Sequence, residues 1–119
     1  MNKRILVVDG DVDMQEVLKH NLGLWCPDCE IILASNGVEA LLELKLWNDY
    51  INQPVDLLLA DHEIGLDLAP EVRQIWPEVR IVLTAQQPDR IRFQSKEEAR
   101  QVDGYLQKPI IDDFKSQLL

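Results

Sequence analysis

A chain of 119 residues that is 46% hydrophobic and 28% charged has the make-up of one folded domain, not of a disordered or fibrous protein. Its 12 Lys and Arg residues against 21 Asp and Glu leave a formal charge of -9, and a field of that sign repels nucleic acid and anionic membrane. The apolar run behind Met1-Asn2-Lys3-Arg4 lasts only from Ile5 to Val8, too short for a signal peptide or a membrane span, so a cytoplasmic location is expected.

The first strand is expected over Arg4 to Val8. A helix follows in which Met14, Val17, Leu18, Asn21 and Leu22 share one face, apolar except for Asn21. Trp25-Cys26-Pro27-Asp28-Cys29 has the spacing of a redox dithiol, but it follows a helical segment instead of opening one. It is therefore read as a proline-containing turn with two incidental thiols. The second strand spans Glu30 to Ala34. Asn36 followed by Glu39 resembles a capping box that opens a second helix through about Trp47, with Val38, Leu41, Leu42 and Leu46 as its buried side.

The third strand is expected over Val55 to Ala60 and a third, short helix from about Leu66 to Trp76, where Pro70 is tolerable only near the first turn. The fourth strand runs from Arg80 to Thr84. A fourth helix starts at Pro88 or Asp89 and is charged along Arg90 to Arg100, a fifth strand covers Gly104 to Leu106, and a fifth helix begins at Asp112. That last helix stops after a turn or two on Leu118-Leu119, as the front part of a longer protein would.

Three of the strands, Ile5-Leu6-Val7-Val8, Val55 to Ala60 and Ile81-Val82-Leu83, are mostly continuous apolar, as parallel strands covered on both faces are. Five strands alternating with helices imply one parallel sheet with right-handed crossovers. In such a sheet the ligand crevice lies beyond the carboxyl ends of the strands. The first strand ends at Asp9, the third at Asp61, the fourth at Thr84, and the fifth leads into Lys108-Pro109, so one edge gathers two carboxylates, a hydroxyl and an ammonium.

Taken together, Ile5-Leu6-Val7-Val8-Asp9, Val55-Asp56-Leu57-Leu58-Leu59-Ala60-Asp61, Ile81-Val82-Leu83-Thr84-Ala85 and Asp103-Gly104-Tyr105-Leu106-Gln107-Lys108-Pro109 resemble a response-regulator receiver domain of two-component signalling over essentially the whole chain. The resemblance implies a single α/β domain over residues 1–119, of flavodoxin-like (βα)5 build, with a five-stranded parallel sheet in the order 2-1-3-4-5. It also implies that Asp61 accepts a phosphoryl group from a histidine kinase or phosphotransfer protein, with Lys108 and Thr84 assisting and Mg²⁺ as cofactor. Any catalysis would be at most a slow autophosphatase activity. Thr84 and Tyr105 would form the switch, and the fourth helix, fifth strand and fifth helix would present the result to a downstream protein or effector domain, or to a second copy in a homodimer.

Two departures stand out. The family places two adjacent acids after the first strand, because Mg²⁺ takes carboxylate oxygens, whereas Gly10 stands in the second place. Asp9 and Asp61 remain as metal ligands, with Glu63, by backbone or side chain, or Asp11 to make up the set. Asp9, Asp11 and Asp13 do not open a calcium-binding loop, because the sixth position is Met14 and the twelfth His20. The loop after Asp61 is also short: His62-Glu63-Ile64-Gly65 passes at once to Leu66. Both departures motivate an alternative, a pseudo-receiver that binds proteins without phosphate.

Overall fold

The structure, a computed structural model, describes residues 3–109. Strands β1 (Arg4–Val8), β2 (Glu30–Ala34), β3 (Leu57–Asp61), β4 (Arg80–Ala85) and β5 (Gly104–Gln107) form a single sheet. Every pairing is parallel and the order is β2-β1-β3-β4-β5, the flavodoxin-like order. The fifth helix expected from Asp112 lies outside the described residues.

The central strands read as unbroken apolar runs because they are covered on both faces. Leu6, Val8, Leu58, Ala60 and Ile81 point to one side and pack with helices α2 (Gly37–Lys45) and α3 (His62–Ile75). Ile5, Val7, Leu57, Leu59 and Val82 point to the other, against Leu18 and Leu22 of α1 (Val12–Trp25). Among the described residues no helix is long and apolar enough to cross a membrane.

Five expectations need correction. On α1 the buried polar residue is Gln15, while Val17 is 41% exposed. A glutamine on a core face has to find partners, and its Nε2 donates to the Asp9 carbonyl at 2.7 Å and to Ser35 Oγ at 3.0 Å. On α2 the buried residues are Ala40 and Leu44, flanked by the partly buried Leu41 and Trp47, whereas Val38, Leu42 and Leu46 are 71%, 64% and 43% exposed. The apolar residues of this helix spread over more than half of its circumference, so its period offers two candidate faces; the small Ala40 allows the closer approach to the sheet. Asn36 does cap α2, its Oδ1 accepting from the Glu39 amide at 2.9 Å. After Lys45 the helix widens into a π-helical turn, Leu46–Tyr50.

The third helix starts at His62, not Leu66, and holds Pro70 in its interior. An interior proline costs roughly 3 kcal/mol, which here is offset by packing of Leu68, Ala69 and Val72 into the core and by the close seating of Gly65. A Cβ on Gly65 would meet the Leu83 side chain at 2.4 Å and the Ala60 Cβ at 3.2 Å. In the fourth crossover the continuous charged helix expected from Pro88 is instead a 3₁₀ turn, Pro88–Arg90, an extended stretch that buries Ile91, and a short helix α4 (Lys96–Arg100) capped by Ser95. Finally, Cys26 and Cys29 are not incidental thiols. The turn after α1, in which the Cys29 amide donates to the Cys26 carbonyl, brings their Cα atoms to 5.3 Å and they form a disulfide.

Candidate functional site at the carboxyl edge of the sheet

Strand alternation sets the orientation of the site. Val8 and Ala60 point toward α2 and α3, so the next residues, Asp9 and Asp61, point to the α1 side at the carboxyl edge. Thr84 is the register partner of Asp61 and shares that side. The Lys108 amide donates to the Ala85 carbonyl at 2.9 Å, extending the pairing of β4 and β5 by one residue, and a cis peptide joins Lys108 to Pro109. The Pro109 carbonyl is held by Asn21 Nδ2 of α1 at 2.9 Å.

This scaffold brings Lys108 Nζ to 2.7 Å from Asp9 Oδ2 and 2.7 Å from Asp61 Oδ1. The three side chains are only 10%, 4% and 14% exposed, so the ammonium is a bridge between two carboxylates in a largely dry setting. Burial alone would lower the Lys108 pKa; the hydrogen bonds that its ammonium donates to Asp61 and Asp9, and then the charges of these carboxylates, outweigh it and leave the pKa raised. The remaining carboxylate oxygens accept backbone amides, Asp9 Oδ1 from Asp11 at 2.9 Å and Asp61 Oδ2 from Glu63 at 3.3 Å. Asp61 is thus the N-cap of α3 as well as the end of β3, the local consequence of the short loop.

The other predicted residues take distinct places. Thr84 is buried at 1% exposure, and its hydroxyl has no hydrogen-bond partner among the described residues. Asp11 caps α1, its Oδ1 accepting from Asp13 and Met14 amides. Glu63 is exposed on the rim. Gly10 has negative φ, and a Cβ there would meet only the Ser35 carbonyl at 3.9 Å, so neither backbone nor space demands glycine. Among the described residues no three acidic, histidine or cysteine side chains converge as a metal cage. Tyr105 lies half-exposed on β5 with its ring 6.4 Å from that of Phe93.

The sequence offers His62 as a neighbour of Asp61, and two further participants, Arg90 and Gln15, escaped it. His62 sets Nδ1 3.9 Å from Asp61 Oδ1. Arg90 joins Asp61, His62, Gln87 and Lys108 around an open cleft of about 430 Å³. Gln15 holds the backbone of Asp9; its spacing from Leu18 and Leu22 was the available signal.

No protein-family model matches the chain. Among solved structures, a response regulator from Thermotoga maritima in complex with Mg²⁺-BeF is 29% identical, with a TM-score of 0.71 over 98% of this chain and 99% of that one. An adenylate cyclase structure from Rhodopirellula baltica is 26% identical, with a TM-score of 0.76 over 99% of this chain and 85% of that one. A CheY-like receiver domain from Methylobacillus flagellatus is 18% identical and matches all of both chains at a TM-score of 0.78. The chain has the fold of the response-regulator receiver domains.

Proposed function

We propose that this chain is a cytoplasmic receiver of two-component signalling in which Asp61 accepts a phosphoryl group from a histidine kinase or phosphotransfer protein. The observation that carries the reading is the Lys108 bridge between Asp9 and Asp61, with the buried Thr84 on the neighbouring strand. In the transfer, an oxygen of Asp61 attacks phosphorus; the bond to the donor imidazole breaks as the new P–O bond forms. The Lys108 ammonium already touches the attacking carboxylate and neutralises charge on the arriving oxygens. Thr84 donates its hydroxyl to the phosphoryl group, and Tyr105, half-exposed on the next strand, turns inward and alters the surface read by a downstream protein or effector domain.

The donor set fits Mg²⁺. Asp9 and Asp61 offer hard oxygens side by side, each with a lone pair beyond its hydrogen bond, and Mg²⁺ is commonly held by one or two carboxylates together with phosphoryl oxygens. Glu63, by backbone or side chain, is the further oxygen source. When bound, the ion supplies countercharge to the phosphoryl group.

Incubation with acetyl phosphate, followed by intact-mass measurement, tests the reading. A single phosphoryl-sized gain is expected for the parent and none for Asp61→Asn. The pseudo-receiver reading is motivated by Gly10 and by the short loop after Asp61. Under it, a folded parent gains no mass, and Asp61→Ala leaves partner binding unchanged.

A further inference from the structure

A second concave feature lies between the N-terminal halves of α2 and α3, sharing Glu63 with the cleft at Asp61, with a volume of about 570 Å³. Its floor is apolar, made by Val38, Leu41, Ile64 and Leu68. Its rim carries Glu39, Glu63, Asp67 and Glu71, and among the described residues no Lys, Arg or His lines it. Next to it, the outer face of α2 continues the apolar surface through Leu42 and Leu46, which are 64% and 43% exposed.

Isolated exposed leucines are unremarkable, but an apolar cleft whose charged lining residues are all carboxylates is a recognition surface. Its chemistry selects the occupant. Apolar side chains are needed to cover the floor, and cations at the borders to pair four carboxylates that would otherwise lose hydration uncompensated. A second copy presents the same acidic rim, and a two-fold contact would set carboxylate against carboxylate. An anionic membrane meets the same repulsion. We propose that the α2–α3 cleft docks a basic amphipathic helical segment of a partner protein, with apolar residues at helical spacing on the floor and Lys or Arg along the rim. The proposal does not depend on phosphate transfer to Asp61.

The test uses two fluorescent probes, an amphipathic leucine–lysine peptide and a leucine–glutamate peptide of the same pattern, titrated with the whole chain. The leucine–lysine peptide is expected to bind and its counterpart not to. Asp67→Lys combined with Glu71→Lys should weaken binding about tenfold or more, and Val38→Ser should weaken it too. Glu97→Lys with Glu98→Lys on α4 should leave it unchanged, with folding of each variant checked by its melting curve. Amide shifts should move on α2 and α3. Equal weakening by the α4 pair, unchanged binding by the cleft variants, or shifts confined elsewhere would overturn the proposal. So would a dimer dissolved by Val38→Ser, which would assign the cleft to a second copy.

Discussion

The carboxyl edge of the sheet and the outer face of α2 invert the usual distribution of side chains in opposite ways. At the edge, charged and polar groups, Asp9, Thr84 and Lys108, are buried; on α2, Val38, Leu42 and Leu46 lie in solvent. Buried polar groups must be held by the surrounding fold, since each costs free energy unless paired. Exposed apolar groups cost the fold little. The two regions should therefore respond differently to substitution: the edge couples to stability, and the α2 face does not.

The frame of reference is the core. Leu58 is fully buried on β3, and Leu58→Ala should lose about 4 kcal/mol, read as a lowered denaturation midpoint. Lys108→Met should cost about 3 kcal/mol, because it leaves two buried carboxylates facing each other without their shared cation. A cost near zero would show that the bridge is as dispensable as a surface ion pair.

The pH dependence follows from the raised Lys108 pKa. A raised lysine contributes stability that is fully present below the unfolded value of about 10.4 and is lost as pH rises through the folded value. Thermal melts of the parent should thus weaken in alkali more steeply than those of Lys108→Met. Parallel curves would break the comparison at its electrostatic end.

Gly10→Asp should change stability by no more than about 0.5 kcal/mol, the range of surface substitutions, because a Cβ there meets only the Ser35 carbonyl. It should also tighten Mg²⁺ binding, measured by titration calorimetry, since it adds an acid beside Asp9. Smallest of all is Leu42→Ala, within about 0.5 kcal/mol; a core-sized loss would mean that the α2 stripe is covered within the fold.

What was legible in the sequence follows from the same contrast. Strands buried on both faces read as continuous apolar runs, so their positions and the polar residues ending them were visible, including Asp9, Asp61, Thr84 and Lys108, which the structure gathers on one edge. The buried face of α2 was not legible, because the apolar positions of that helix spread over more than half of its circumference and the choice fell to the small Ala40. The start of α3 was misplaced because the local rule against interior proline lost to capping by Asp61 and the seating of Gly65. The charged fourth crossover lacked the continuous apolar face a long helix needs, and Ile91 anchors it in extended form.

The most direct test of the central claim is to treat the protein with acetyl phosphate and Mg²⁺, then reduce it with borohydride. Reduction converts an aspartyl phosphate to homoserine, which peptide mass spectrometry locates. Conversion at residue 61, absent without phosphodonor, is the predicted result. No conversion in a folded sample, or conversion at another aspartate, would contradict the account.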